Sequence, residues 1–158
     1  MYTTLHPSPV GDILLRADAE GRLTDLYLRH DGANATTNGP FDAVREQLDA
    51  YFAGELNRFD VPMAVHGTDF QQRVWDQLVQ IPFGETISYS ELARRMGDPK
   101  LVRAVGTANG RNPISIIIPC HRVIGADGSL VGYGGGLERK KWLLEHEEVT
   151  SGRRLPVG

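Results

Sequence analysis

Ser88-Tyr89-Ser90-Glu91-Leu92-Ala93-Arg94-Arg95-Met96-Gly97-Asp98-Pro99-Lys100-Leu101-Val102-Arg103-Ala104-Val105-Gly106-Thr107-Ala108 holds two helix starts separated by one glycine turn. Ser88 and Glu91 stand at capping-box spacing, the Ser88 hydroxyl serving the Glu91 amide and the Glu91 carboxylate reaching back. The helix they open is short and ends near Met96-Gly97. Asp98 caps a second helix with Pro99 at its first position, where the missing N–H costs nothing. Two short helices joined by a tight glycine turn form a helix-turn-helix pattern. In the second helix Leu101, Val102, Val105 and Ala108 supply an apolar side. Lys100, Arg103 and Thr107 fall at i, i+3 and i+7 and share another face. Ala104, Gly106 and Gly110 keep that region lean, so it can approach a nucleic-acid groove closely. The competing reading is a helix pressed against a neighbouring one.

Charge supports the groove. Residues 1–66 carry 5 Arg and no Lys against 10 Asp and Glu, whereas residues 67–158 carry 12 Lys and Arg against 10 Asp and Glu. Between 94 and 122, Arg94, Arg95, Lys100, Arg103, Arg111 and Arg122 face Asp98 alone, a candidate phosphate-binding surface on a chain of net charge -3. A length of 158 residues suits one domain or two small ones, and 41% hydrophobic with 23% charged residues is an ordinary globular balance. No apolar run approaches the roughly 20 residues that span a bilayer. Met1-Tyr2-Thr3-Thr4-Leu5-His6-Pro7 has no basic stretch followed by an apolar core, so a cytoplasmic protein without membrane attachment is expected.

Upstream, residues 2–30 alternate in strand fashion. Val10–Ala17, a turn at Asp18–Gly21 and Leu23–Leu28 read as a β-hairpin. Residues 31–40 are a loop by composition. Phe41, Val44, Leu48, Tyr51 and Phe52 fall at helical spacing before Gly54, and a short strand is expected over Phe59–Val65. Gly67-Thr68-Asp69 then signals a helix carrying Phe70, Val74, Trp75 and Leu78. Downstream of the helix pair, Ile114-Ser115-Ile116-Ile117-Ile118 predicts a buried strand running into Pro119-Cys120-His121-Arg122. Gly128 and Gly132–Gly136 surround Tyr133, and a closing helix carries Leu137, Trp142, Leu143 and Leu144. The expected organisation is an α+β domain over 1–66, a DNA-binding domain that also carries the active site over 67–150, and a flexible tail over 151–158.

Cys120 is the one cysteine, which excludes an intramolecular disulfide and a thiolate-rich zinc site. The five histidines lack helical ligand spacing, so no metal is expected. A sole cysteine is commonly a small buried hydrophobe. Here it leaves an apolar strand with His121 beside it. A nucleophilic thiol needs an acceptor for its proton or nearby positive charge, and an imidazole oriented by a carboxylate supplies the first. Neighbours on an extended strand point to opposite faces, so a bridging water or a local turn is needed. Spacing alone leaves Glu145, Glu147 and Glu148 as carboxylate candidates.

Pro119-Cys120-His121-Arg122-Val123-Ile124-Gly125, preceded by Arg111-Asn112-Pro113, resembles the signature of the O6-alkylguanine-DNA alkyltransferases. Pro82-Phe83-Gly84-Glu85-Thr86-Ile87-Ser88-Tyr89 is similar to that family's entry to the helix-turn-helix. Arg103-Ala104-Val105-Gly106 resembles its recognition helix, and Gly132-Tyr133 through Trp142–Glu147 its closing segment. The resemblance covers about residues 68–148. It implies a ribonuclease H-like N-terminal unit packed on a winged-helix-like one. It further implies irreversible, stoichiometric transfer of the alkyl group from O6-alkylguanine to Cys120, with O4-alkylthymine a second possible substrate and no cofactor. His121 would act as base through a water, Glu147 would hold the imidazole, and Asn112 would tie the helix-turn-helix to the active site. Tyr89 would assist base flipping and protonate the leaving guanine. Arg103 would fill the space left by the flipped base, with Ser90, Lys100, Ala104 and Thr107 as further candidates for DNA contact. The carbonyls of Val123 and Cys120 would take the base, and Tyr133 would cover it. Gly134 stands where some relatives carry a bulkier residue, which bears on substrate breadth. The implied partner is duplex DNA entered through the minor groove, by a monomer that can cluster on it. Two other classes compete: a lesion-binding alkyltransferase-like module, which the retained Cys120 argues against, and a helix-turn-helix transcription regulator, which leaves Pro119-Cys120-His121 unexplained.

Overall fold

Tyr2–His6 (β1), Ile13–Ala17 (β2) and Leu23–Tyr27 (β3) form an antiparallel sheet in that order, with Leu15 opposite both Thr4 and Leu26. The computed structural model describes residues 1–32, 39–131 and 133–152. Most of the loop read over 31–40, Gly132 and the tail from residue 153 onward lie outside the described residues. The chain forms two compact units, one of Met1–His66 with Pro113–Ile117, the other of Gly67–Asn112 with the described residues from Ile118 onward.

In the first unit the hairpin turn closes on Asp18, whose carboxylate accepts the Glu20 and Arg22 amides at 3.1 and 2.9 Å, and Gly21 takes the left-handed φ of 81° that the turn requires. β2 is the central strand, and consecutive Ile13, Leu14 and Leu15 are all buried, so both of its faces are covered. Asp42–Phe52 (α1) buries Val44, Leu48 and Tyr51 on one face, as their spacing predicts. Two expected strands are absent. Phe59–Val65 supplies only one bridge, Met63 to Leu23. Pro62 has no N–H and contributes its carbonyl alone, to Leu23 N at 2.8 Å. Ile114 likewise makes a single bridge, to Leu26. The chain then turns, with Ile117 N donating to Ser115 O at 2.8 Å around Ile116, whose φ is 72°. That left-handed value in a β-branched residue costs about 1–3 kcal/mol. Burial of Ile114, Ile116 and Ile118 accounts for the apolar run that imitated a strand.

In the second unit Thr68 and Gln71 form a reciprocal capping box that starts Asp69–Val79 (α2). Trp75 donates its indole N–H to Ala108 O at 2.9 Å. Ile87–Ser88 (β4) leads into Tyr89–Arg95 (α3), and Ser88 Oγ accepts from Glu91 N at 3.0 Å. The reciprocal half of that predicted box is missing, because the Glu91 carboxylate instead binds Arg94 and Arg95. A turn at Gly97 and a 3-10 turn over Pro99–Leu101, capped by Asp98, precede Val102–Gly110 (α4). A second 3-10 turn, Cys120–Arg122, opens onto Val123–Ile124 (β5), which pairs in parallel with β4. Leu137–Ser151 (α5) closes the unit and stops at Gly152, one residue into the stretch read as tail. Leu137 is exposed, while Leu143 and Leu144 are buried. No helix among the described residues is long and apolar enough to cross a membrane.

Candidate active site

The segment that carries Cys120 is drawn closed at its base by Asn112, whose Nδ2 donates to Ile118 O at 2.7 Å. This bond spans the excursion through 113–117 and fixes where the chain re-enters the second unit. Pro119 follows, and Cys120 N donates back to Ile118 O at 2.8 Å. Cys120 lies buried on the 3-10 turn rather than on an extended strand.

His121 and Glu147 are both fully buried and meet at 2.6 Å between Nε2 and Oε2. The structure thereby selects Glu147 over its neighbours, since Glu145 is exposed and pairs with Lys141. Arg122 adds two bonds to the same carboxylate, Nε to Oε1 at 2.8 Å and Nη2 to Oε2 at 3.1 Å, and its Nη1 reaches Ile81 O at 2.7 Å. Gly84 N also donates to Oε1 at 3.3 Å. Burial alone would raise the Glu147 carboxyl, but His121 and Arg122 together hold it far below the usual carboxylate range. Burial holds the His121 imidazolium below its ordinary value despite the carboxylate. A carboxylate bound to a guanidinium can only accept, so Nε2 carries the imidazole proton and Nδ1 keeps its lone pair. Nδ1 is buried and has no hydrogen-bond partner.

Other groups complete the surroundings. Tyr89, at the start of α3, donates its hydroxyl to Val131 O at 3.0 Å. Burial, and after it the nearby Cys120 sulfur, push the Tyr89 phenol above its ordinary value, with the Asn109 side chain opposing them. Lys140 on α5 is fully buried, and its ammonium donates to Val123 O at 2.6 Å and Val131 O at 2.8 Å. Burial pushes it down to about 8, opposed by the charge at Cys120. Tyr133 is buried, with the Lys140 ammonium 6.0 Å from its ring centroid. Gly134 is exposed, and a Cβ there would meet Gly110 O at 3.6 Å, an ordinary contact.

Ser90, Lys100, Arg103, Ala104 and Thr107 are all exposed on α3, α4 and the turn between them. The Thr107 hydroxyl bonds back to Arg103 O at 3.1 Å. The basic surface is smaller than the sequence suggests: Arg122 is buried on Glu147, and Arg94 and Arg95 share Glu91. Lys100, Arg103 and Arg111 are the cations of that stretch left to solvent.

Arg122, Lys140 and Asn109 are site residues that the sequence reading did not assign. Lys140, Leu143, Leu144 and Glu147 fall at i, i+3, i+4 and i+7, and all are buried on α5. Two charges in register with an apolar pair were the available signal. Arg122 and Asn109 had none in their spacing. Among the described residues, no three His, Cys, Asp or Glu side chains are grouped to hold a metal.

Fold and site define a class: a helix-turn-helix protein carrying one buried thiol beside a carboxylate-polarised imidazole. Residues 69–149 match the family described as 6-O-methylguanine DNA methyltransferase, DNA binding domain, and residues 1–65 its ribonuclease-like domain. A methylated-DNA–protein-cysteine methyltransferase of Mycobacterium tuberculosis is 62% identical over 153 residues, covering 93% of this chain and 92% of the relative. One from Methanosarcina acetivorans is 48% identical over 156 residues, covering 93% and 98%. The crystal structure of Mycobacterium tuberculosis OGT in complex with DNA superposes with a TM-score of 0.86 at 50% identity, covering 95% of this chain and 94% of that one. This chain belongs to the O6-methylguanine-DNA methyltransferase family.

Proposed function

We propose that this protein repairs alkylated DNA directly, moving the alkyl group from O6-alkylguanine in duplex DNA to its own Cys120 in a single irreversible turnover. One observation carries the reading: His121 has its proton committed to Glu147 through Nε2 and an unpartnered lone pair at Nδ1, one residue from the only thiol. A water between Nδ1 and the sulfur takes the thiol proton to the imidazole. The thiolate attacks the alkyl carbon, the S–C bond forms as the C–O6 bond breaks, and the electron pair stays on the base. Tyr89 protonates the departing guanine. Stacking hides O6 inside the duplex, so the base is flipped first at a cost of a few kcal/mol. Arg103 fills the gap from α4, entering by the minor groove, while Ser90, Lys100, Ala104 and Thr107 lie along the DNA. The carbonyls of Val123 and Cys120 hold the base under Tyr133. The protein acts as a monomer on DNA, without a cofactor, in the reducing cytoplasm where a lone thiol survives. O4-alkylthymine is a second candidate substrate.

Intact-protein mass after incubation with a duplex containing one O6-methylguanine tests this. The expected result is a gain of one methyl, mapped to Cys120. A lesion-binding module binds the same duplex with no gain, and a transcription regulator does not prefer the lesion; either outcome overturns the proposal.

A further inference from the structure

Asn109, in the last turn of α4, is 1% exposed, and its Nδ2 donates to Cys120 O at 3.4 Å. The same carboxamide faces the Tyr89 phenol oxygen, whose proton is committed to Val131 O. Two acceptors therefore claim the NH2 end, and turning the amide over would set oxygen against oxygen. This orientation, which sets Nδ2 on Cys120 O, leaves Oδ1 buried without a partner. A buried carbonyl without a donor is expensive, and such orphans in folded proteins call for a reason. This one belongs to a planar group held between the nucleophile's own carbonyl and the proposed proton donor.

The chemistry of the substrate supplies what is missing. Alkylation at O6 removes the proton from guanine N1, so N1 becomes an acceptor. The exocyclic 2-amino group is then the one donor left on the pairing edge. Of the carbonyls read as its acceptors, Val123 O already takes the Lys140 ammonium and Cys120 O already takes Asn109 Nδ2. We infer that Asn109 Oδ1 is a further acceptor for the 2-amino group of the flipped base, which makes Asn109 a specificity-determining residue that separates O6-alkylguanine from lesions lacking that amine. The inference rests on the alkyl-transfer reading and adds the group that reads the base. A site built to bond a substrate N–H rejects an analogue without it because its own polar group is left unpaired.

The test uses the full chain and two free bases, O6-benzylguanine and 6-benzyloxypurine, which is the same molecule without the 2-amino group. Neither requires flipping, so DNA affinity does not enter. The readout is the ratio of their second-order rates of Cys120 benzylation for wild type, Asn109→Leu and Asn109→Ser. Because the ratio is taken within one preparation, any unfolded fraction cancels. Wild type is expected to prefer the amino base, and both variants to lose about five-fold of that preference, the scale of one hydrogen bond. A ratio unchanged within two-fold in both variants overturns the inference while leaving alkyl transfer standing. If wild type benzylates Cys120 with neither base, the ratio is read instead with duplexes carrying O6-methylguanine or 6-methoxypurine: a ratio unchanged by the variants there overturns the inference, and no methyl gain from either duplex overturns alkyl transfer and takes the inference with it.

Discussion

Each unit sets a buried histidine against a carboxylate and an arginine, and only one of the two trios leaves an imidazole nitrogen uncovered. In the first unit His6 Nε2 meets Asp49 Oδ1 at 2.7 Å, and Arg45 Nη1 sits on His6 Nδ1 at 3.0 Å. Arg45 also reaches Leu5 O and Thr4 Oγ1, so it ties α1 to β1. In the second unit the arginine lies on the carboxylate and leaves the imidazole alone. Both rings thus carry their proton on Nε2. A guanidinium covers the lone pair of His6, and nothing covers that of His121. Exposure differs as well: the Asp49 side chain is 68% exposed and that of Glu147 is 0%. A histidine, a carboxylate and an arginine make a structural clasp in one place and the proposed base in the other, and the difference turns on which partner the arginine binds.

The contrast can be broken at several points. The largest effect belongs to Cys120→Ser, which removes the thiol that the second trio serves. Alkyl gain in the intact mass should vanish while binding to lesion-bearing duplex persists, and alkyl found on another residue would refute the assignment. Next, His121→Ala should slow alkylation by free O6-benzylguanine about 10²–10⁴-fold, the usual worth of general base catalysis. His6→Ala should lower the melting temperature and leave that rate alone, and equal slowing by both would erase the distinction between the trios.

Glu147→Gln should destabilise the fold by about 3–5 kcal/mol, because Arg122 loses its buried counter-charge. The folded carboxyl lies below its unfolded value of 4.5, so its contribution is complete above that pH and fades as the pH falls through the folded value. Urea melts of wild type and Glu147→Gln should therefore converge on acidification, and a gap that does not change with pH would contradict this. The smallest effect is expected away from both trios. Arg103→Ala should reduce the log–log salt slope of DNA binding by at most about 0.9, one phosphate equivalent. Its repair of duplex should suffer more than its reaction with the free base. An equal loss on both would assign Arg103 to the pocket.

Local signals in the sequence were reliable where chemistry between near neighbours decides the outcome. Thr68, Ser88 and Asp98 cap helices as their types suggest, and α1 buries the residues its spacing predicts. Ile114–Ile118 misled because burial and strand formation share one apolar signature; a turn around a left-handed Ile116 leaves no mark in residue type. Glu91 misled because Arg94 and Arg95, three and four residues on, outcompete a backbone amide for its carboxylate. At the site, the contact between His121 and Glu147 spans 26 residues, and spacing could not choose among three glutamates. Asn109 stayed hidden because its significance lies in a missing partner, which only coordinates reveal.

The chain has one cysteine, and that count shapes how its activity scales. The proposed transfer leaves Cys120 as a thioether, whose C–S bond thiol exchange does not open, so a molecule that has reacted is finished. A population of such molecules behaves as a titrant: its capacity is the number of folded, unreacted copies present when damage arrives. Catalysts that turn over can hide a loss of folded protein behind time, and a titrant cannot. A destabilisation of about 1–2 kcal/mol, enough to change cellular abundance several-fold, translates directly into lesions left in place. Substitutions that leave the residues around Cys120 unchanged, including those in the His6 clasp of the first unit, therefore bear on the proposed repair through the number of molecules available rather than through the speed of any one of them.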